Sequence, residues 1–583
     1  MGAIGTMDKI QITLANEKRT VWVDKGVSLL DVQVEAGLHP DAPCGGQGTC
    51  GKCLVDIRYS AEDPWQRVKA CQTLVDGPLE LKTLPRDQQL RVLDKGEQAQ
   101  GSNIWEPWVE QIPIQVAPCP LGESTADWAR LKDALSEATG RQFWEPDVEL
   151  CSTLGDLIRE TGGRLWAVVD RCHILALRKE PAPFYMVAFD VGTTSIAGYL
   201  LRGDQAETVA KAGTLNPQAQ YGADVIMRAN YALERGCDVL ASCVREAVDH
   251  LIGQLCRDAD VSREGVFAVS LVGNTCMHHL FLSITPDSLV HAPYNPAISE
   301  SLLLRACEYG LHVNTRAPLL MLPVIAGFVG ADTVGCLLAG GWEQLEDLTL
   351  MIDIGTNGEI VMGNRHRMIA CSTAAGPAFE GAKIQCGMRG AEGAVEHVWL
   401  ENGEVKWRVI GGGKALGICG SGLIDLVAVL LRSGQLDESG RLKNGPVYRL
   451  GDTDVVLTQK DIREMQLAKG AISAGIRLLA ERLGISITEI RQVCIAGAFG
   501  NYMDPNSACD IGLIPPELRE KVVPVGNAAG EGAKMVLQDR AAWDRAEVLA
   551  RRAEFLELAS LPQFQDEFVD QLEFPNWEET VVC

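Results

Sequence analysis

Four cysteines near the start of the chain, Cys44, Cys50, Cys53 and Cys71, are spaced C-x5-C-x2-C-x17-C, and three of them sit in the run PCGGQGTCGKC (43–53). Thiolates arranged three-plus-one, on a loop and at a distant strand end, are a known way to hold a [2Fe–2S] cluster. The glycines at 45, 46, 48 and 51 serve the same purpose. A loop wrapping an anionic cluster turns its N–H groups inward, which demands unusual φ values and close backbone approach. Zinc is the competing metal, because it takes tetrahedral sites built from paired C-x2-C hooks. Only Cys50 and Cys53 form such a hook, and the ββα pattern before them is wrong for a zinc ribbon, so iron–sulfur is the preferred reading.

Two later stretches repeat one design. YMVAFDVGTTSIAGYLL (185–201) and LTLMIDIGTNGEIVMG (348–363) each run as apolar strand, Asp, aliphatic residue, Gly-Thr, small polar residues and second strand, the pattern of a tight β-hairpin. At the strand ends Asp190 and Asp353 can face a pocket and hold Mg²⁺ through its waters, as that ion prefers. Gly192, Thr193 and Thr194 in one turn, and Gly355, Thr356 and Asn357 in the other, offer donors able to cradle phosphate oxygens. Glu359 can join the metal shell or orient a water for attack on a γ-phosphate. One such turn is weak evidence; two at corresponding places suggest related lobes facing each other.

Further pieces agree with an ATP site. CIAGAFGNY (494–502) reads as an apolar strand ending in a Gly-rich turn, where Gly497, Ala498 and Gly500 let an adenosine approach the backbone. GICGSGLID (417–425) reads as a Gly-rich turn opening a helix, whose N-terminus at Gly420, Ser421 and Gly422 can face phosphate or ribose. EMQLAKGAIS (464–473) is helical, with Gln466 and Lys469 three apart on one face. Taken singly, each piece is explained as well by close helix–strand packing.

The elements that must position these groups divide the chain. Residues 8–30 read as two short strands and a helix from about Ser28, leading directly into the cysteine run, and the strand LELKTL follows Cys71. From about Leu93 to Pro120 the chain is polar, proline-containing and marked by isolated Trp105 and Trp108, as a linker would be. Residues 121–183 give two amphipathic helical segments and the strands LWAVVD and HILALR. From Phe184 onward apolar strands alternate with longer helices, the pattern of a large α/β domain. The expected fold class is multidomain, α/β and α+β. It has a domain over 7–92, a linker over 93–120, a small α/β middle domain over 121–183 and a large domain over 184–583, with lobes of about 184–330 and 331–583.

Composition sets limits. At 583 residues the chain is too long for one core. Apolar content of 46% and charged content of 22% are those of an ordinary globular protein, and a net charge of −24 repels nucleic acid and anionic membrane. Nineteen cysteines, scattered mostly singly and including Cys119, Cys371, Cys386, Cys419, Cys494 and Cys583, read as reduced thiols of the cytoplasm. The start MGAIGTMDKI lacks the cationic and apolar regions of a signal peptide, and its Gly2–Thr6 myristoylation pattern is short enough to arise by chance. Residues 318–342 are nearly uncharged. Pro323, several glycines and Asp332 make them a buried strand, a turn and a core helix rather than a membrane span. His278 and His279, beside Leu-Phe-Leu, read as packing residues.

On its cysteine spacing, the region 7–92 resembles ferredoxins of the plant or adrenodoxin type, which implies a β-grasp fold and one [2Fe–2S] cluster. Its x5 interval is that of the adrenodoxin-like branch, and its last interval is shorter than in free-standing ferredoxins. On the two hairpins, IAGAFG and the Gln466/Lys469 helix, residues 184–540 resemble the superfamily of actin, sugar kinases, acetate kinase and heat-shock chaperones. That likeness implies two phosphate motifs, an adenosine motif and an adenosine-contacting helix around ATP and Mg²⁺. It also makes GFVGADTVGCLLAG and GNAAGEGAKMVL the connecting helices about which the lobes of an actin-like ATPase close.

The whole order, together with NPQAQYGADVIMR (216–228), GNTCMHHLFL (273–282), LPVIAGFVGADT (322–333) and STAAGPAFEGAKIQCGMRGAEGA (372–394), resembles the reductive activators of corrinoid enzymes. The resemblance implies an ATP-dependent, one-electron return of a Co(II)-corrinoid protein to Co(I) in an anaerobic methyltransferase system. An upstream low-potential donor and a corrinoid protein would be partners, and a homodimer is compatible with it. Spacing gives no role to 216–228, 273–282 or 372–394. The competing readings are a redox-regulated small-molecule kinase, with Asp332 the nearest candidate base, and an activator of a 2-hydroxyacyl-CoA dehydratase-type enzyme, which shares the ATP fold but lacks the ferredoxin module. A binding protein with a degenerate ATPase is disfavoured, since both turns keep Asp and Gly-Thr.

Overall fold

Alternating burial builds the first sheet: in β1 (Ile10–Leu14) the side chains of Ile12 and Leu14 are fully buried, while β2 (Arg19–Val23) sinks only Val23. The computed structural model describes residues 9–576 except 39, 41, 43–45, 47, 49–51, 85–105, 206, 382 and 501, with backbone alone at 498 and 499. Cys44, Cys50, Gly45, Gly51, Trp105, Cys583 and the N-terminal Gly2–Thr6 motif lie outside the described residues. Helix α1 (Leu29–Glu35) begins where expected, with the Ser28 hydroxyl accepting from the Asp31 N–H at 3.1 Å. With β3 (Leu54–Arg58), β4 (Gln66–Lys69) and β5 (Leu79–Thr83), the sheet runs β2-β1-β5-β3-β4. Its central β1–β5 pair is parallel and the others antiparallel, a β-grasp arrangement.

The expected linker over 93–120 is corrected by β6 (Val109–Gln115), which pairs antiparallel along its length with β7 (Arg164–Asp170), followed by β8 (His173–Arg178). Pro113 obscured this strand in the sequence; it is tolerated because β6 lies at the edge of the order β6-β7-β8. Trp108 is fully buried rather than loose. Its backbone N–H donates to Leu537 C=O at 2.8 Å, and its ring meets Trp543 at 5.4 Å between centroids. Helices α2 (Asp127–Thr139) and α3 (Val148–Thr161) cover this small sheet.

Each lobe of the large domain is a six-stranded sheet. The first has β9 (Tyr185–Val191), β10 (Ser195–Arg202), β11 (Thr208–Leu215), β12 (Val266–Gly273), β13 (Leu302–Arg305) and β14 (Pro318–Met321) in the order β11-β10-β9-β12-β14-β13. Helices α4 (Asp238–Asp258) and α5 (Thr275–Leu282) flank it, burying the histidine pair as packing residues. His279 Nδ1 meets Thr275 C=O and its Nε2 accepts from the Ala297 N–H, while burial pushes His278 down to about 3. Helix α6 (Ala331–Ala339) follows β14 after a turn, so residues 318–342 form the strand, turn and core helix read from the sequence. Among the described residues no helix is long and apolar enough to cross a membrane.

The second lobe contains β15 (Thr349–Ile354), β16 (Gly358–Gly363) and β17 (Met368–Thr373). After them come β18 (Ala394–Glu401), β19 (Glu404–Val409), β20 (Gly417–Ile418) and α7 (Gly420–Arg432). A hairpin of β21 (Val447–Arg449) and β22 (Val456–Thr458) leads into α8 (Gln459–Leu483). Strands β23 (Gln492–Ala496), β24 (Val522–Gly526) and β25 (Ala553–Phe555) complete the order β24-β23-β15-β16-β17-β25. Helix α9 (Ala528–Gln538) then packs directly on α6. A Cβ added to Gly532 would lie 2.2 Å from Gly335 O, so glycine is required where these two helices meet between the lobes.

Candidate functional site

Cys53 and Cys71 are brought together at the cysteine centre, with sulfurs 3.2 Å apart, well beyond the disulfide length of about 2.0 Å. Cys71 sits in a 3₁₀ turn directly after β4, held to its partner strand by Ala70 N–H donating to Cys53 C=O at 2.7 Å. Two thiols this close fit neighbouring ligands of one cluster. Gly48, at φ +76°, sits in the left-handed region that favours glycine, with the Gln72 side chain packed over it.

A cleft of about 560 Å³ opens between the lobes. It is lined by Asp190, Gly192, Thr193 and Thr194 from the β9–β10 turn and by Asp353, Gly355, Thr356, Asn357 and Glu359 from the β15–β16 turn. Gly420 and Ser421 reach it from the start of α7, and Gly497 reaches it from the end of β23. At Gly497, φ is +85° and a Cβ would lie 2.7 Å from Asp353 Oδ1, so the approach requires glycine. The Gly192 N–H closes its own turn on Ser195 C=O and the Gly355 N–H closes on Asn357 C=O, both at 2.9 Å. Those glycines shape the turns. Among the described residues the N–H groups of Thr193, Thr194, Thr356 and Asn357 have no backbone acceptor and are the donors an anion would meet.

Four carboxylates buried together in the cleft, Asp190, Asp332, Asp353 and Glu359, are all pushed upward. Burial, with Asp353 nearby, pushes Asp190 up to about 7, and burial alone pushes Asp353 up to about 6. Asp332, at the start of α6, rises to about 8 through burial and then Asp353 and Asp190; Glu359 goes well above its ordinary value through burial and then Asp332 and Asp353. Asp353 and Glu359 are cross-strand partners, so both carboxylates leave the same face of the hairpin. Among the described residues no three His, Cys, Asp or Glu groups converge tightly enough to ligate a metal directly. The donor set therefore suits a hydrated Mg²⁺ held through its waters.

Several residues that complete the site were not singled out by the sequence reading. Asn216 Nδ2 donates to Gly192 C=O at 2.8 Å, and the buried Arg228 guanidinium donates to Thr193 C=O at 2.5 Å and Gly222 C=O at 2.8 Å. Segment 216–228 thus braces the first turn. Asn274 Nδ2 donates to Thr193 Oγ1 at 2.8 Å, and Asn527 Nδ2 donates to Asp190 Oδ2 at 3.0 Å. Both asparagines cap helices, α5 and α9, and both follow a Val-Gly at a strand end. That repeated Val-Gly-Asn was the available signal. Glu380, in segment 372–394, accepts from both Thr194 and Thr356.

Other expected contacts are not formed. Gln466 donates to Ser439 C=O and Leu572 C=O, and Lys469 Nζ to Glu573 C=O, so both serve the C-terminal segment and neither lines the cleft. An amphipathic helix face does not state what will cover it; here residues 571–574 do. Gly422 and Gly500 are also outside the lining. A Cβ on them would lie 2.3 Å from Val395 O and 2.6 Å from Ile495 Cγ2, which makes both helix–strand packing positions. Ala498 lies in the helical turn Gly497–Gly500.

A ferredoxin module joined to a two-lobed nucleotide clamp defines an ATP-dependent iron–sulfur redox enzyme, and comparison with known proteins agrees. Residues 12–76 match the 2Fe-2S iron-sulfur cluster binding domain, 185–344 the RACo middle region, and 347–582 the C-terminal domain of RACo, the ASKHA domain. The RACo middle region thus coincides with the first lobe, whereas the β6–β8 module lies outside the matched ranges. The corrinoid activation enzyme RamQ of Eubacterium limosum is 32% identical over 572 residues, covering 92% of this chain and 95% of that protein. A [Co(II) methylated amine-specific corrinoid protein] reductase of Methanosarcina barkeri is 26% identical over 425 residues, 67% of this chain and 77% of that protein. A solved structure, described as a reductive activator for corrinoid, iron-sulfur protein, superposes with a TM-score of 0.75 at 30% identity, covering 97% of this chain and 98% of that one. The chain belongs to the family of reductive activators of corrinoid proteins. Its cofactors are a [2Fe–2S] cluster, ATP and Mg²⁺.

Proposed function

We propose that this chain uses ATP to drive one electron onto a Co(II)-corrinoid protein, restoring Co(I) to a methyltransferase system, and that a low-potential donor reloads it in the cytoplasm. The observation that carries the reading is the set of four buried carboxylates between two matched anion-binding turns, in a chain whose other end pairs Cys53 with Cys71. Its relatives by sequence are named for the same task.

When bound, the cluster supplies single electrons near −400 mV if it behaves as plant-type centres do. Cys44, Cys50, Cys53 and Cys71 would hold it. An acceptor about 100 mV lower costs about 2.3 kcal/mol per electron, roughly fifty-fold at about 59 mV per decade. Nucleotide-driven closure of a clamp biases an equilibrium by a few kcal/mol, so ATP is adequate to the task.

In the cleft, Thr193, Thr194, Thr356 and Asn357 present N–H donors to phosphate oxygens. Asp190 and Asp353 would hold Mg²⁺ through its waters, and its charge would favour the carboxylate form of both. Glu359, across from Asp353, orients or deprotonates the attacking water. Closure about α6 and α9 excludes solvent, and Gly335 against Gly532 lets those helices move as a close-packed pair. The decisive experiment mixes the reduced protein anaerobically with Co(II)-corrinoid protein and follows Co(I) absorbance with and without Mg-ATP. Equal Co(I) in both arms removes the ATP coupling.

A further inference from the structure

Between the two phosphate turns the cleft already holds an anion of its own. The Glu380 carboxylate accepts hydrogen bonds from Thr194 Oγ1 at 2.9 and 3.0 Å and from Thr356 Oγ1 at 3.1 and 3.2 Å, tying the lobes together. The two hydroxyl oxygens are 3.3 Å apart. Hydroxyls placed to receive a phosphoryl oxygen are therefore engaged by a side chain. A polyphosphate and this carboxylate compete for the same donors and repel one another at close range.

The next residue carries the consequence. Gly381 has φ +73°, and a Cβ there would lie 2.7 Å from Met388 N; a Cβ on Gly387 would lie 2.3 Å from Gly381 O. Gly381 and Gly387 thus pack against each other at two positions that only glycine fills. The carbonyls of Gly381 and Gly387 both accept from Lys52 Nζ, at 2.6 and 3.3 Å. Lys52 directly precedes Cys53. A continuous run of bonds and contacts leads from Thr194 and Thr356 through Glu380 and Gly381 to Lys52 and the cysteine centre.

We infer that Glu380 is a positioning residue that occupies the phosphate seat of the nucleotide-free protein, and that nucleotide displaces it, shifting the packed Gly381 and Gly387 carbonyls and releasing Lys52. Lys52 is then docked on the second lobe without nucleotide and freed by it. The inference rests on the ATP reading of the cleft. Coupling of this kind is reciprocal: docking weakens nucleotide binding by the factor by which nucleotide weakens docking.

The test uses the full-length, cluster-loaded protein under anaerobic conditions, with Mg²⁺ and a non-hydrolysable ATP analogue. Affinity is read by calorimetry, and the reaction rate of the Lys52 amine with an acylating reagent is read by peptide mass analysis. In the wild-type chain the analogue should raise Lys52 labelling severalfold. E380A should bind the analogue about tenfold tighter, the scale of one charge-assisted contact removed from the competing state, and should keep Lys52 equally protected with and without it. E380D should return both readouts toward wild type. K52A should also bind the analogue more tightly, and K52R should restore the original value. Weaker binding by E380A, as for a lost metal ligand, overturns the inference, as does Lys52 labelling that ignores nucleotide. If the wild-type chain binds the analogue and the Glu380 variants match it, only this inference falls; if the wild-type chain binds none, the ATP reading falls with it.

Discussion

Asp190 and Asp353 end equivalent strands, yet Ala197 stands opposite the first and Glu359 opposite the second. The first turn is held by Asn216, Arg228, Asn274 and Asn527, which reach its carbonyls, hydroxyl and carboxylate from three separate segments. Among the described residues, the Thr356 side chain in the second turn meets only Glu380 and Thr194, both across the cleft or on its rim. The same local design thus gives a braced anion seat in one lobe and a carboxylate-rich, lightly tethered one in the other. Division of labour between duplicated halves follows from what surrounds them, not from the motif they share.

That contrast can be broken. Asp353→Ala, in the loaded hairpin, is expected to lower ATP turnover and ATP-dependent Co(I) formation by about 10²–10³-fold, the scale of losing one preorganised electrostatic element. Undiminished cobalt reduction by this variant and by Asp190→Ala would remove the active cleft altogether. Glu359→Gln should lower kcat about 10²-fold with little change in KM, because it acts on the attacking water rather than on binding. An effect confined to KM would shift Glu359 to the metal shell.

Stability separates the two seats further. Arg228→Met strips donors from the Thr193 and Gly222 carbonyls and should cost about 2–4 kcal/mol, read by denaturant unfolding. Equal losses for Arg228→Met and Thr356→Ala would erase the asymmetry, since the latter is expected to stay within about 0.5–1 kcal/mol.

A further effect is one of pH. With folded values near 6, 7 and 8 for Asp353, Asp190 and Asp332, against an ordinary 3.8, the native state holds protons that the unfolded chain has released. Metal-free stability should therefore fall as pH rises from about 5 to 8, by at most about 1.4 kcal/mol per pH unit per group. Asp332→Asn should flatten the slope, and Mg-ATP should flatten it further. Stability rising across that window would show that the carboxylates are already compensated.

Much of this site was readable because its signals are local. The thiol spacing, the glycines around it and the two Asp-x-Gly-Thr turns each lie within a few residues, where backbone geometry limits what the chain can do. Three of the four signature segments resembled a family without yielding roles, because Asn216, Arg228, Asn274 and Glu380 act across sequence gaps of 24 to 186 residues. The helix face of Gln466 and Lys469 was legible as a buried polar face, but its partner proved to be the C-terminal segment some hundred residues on. The β6 strand was hidden by one proline and became a strand only through pairing with β7.

The sequence by itself determined the thiolate spacing, the duplicated turns, the small-residue helices and the acidic charge, since each is fixed by neighbouring residues and their backbone preferences. Only the tertiary structure decided which side chains face those turns, that a glutamate bridges them, and that a lysine beside the cysteine centre grips the second lobe. Such contacts depend on how separate layers pack, and packing obeys no short repeat that spacing could reveal.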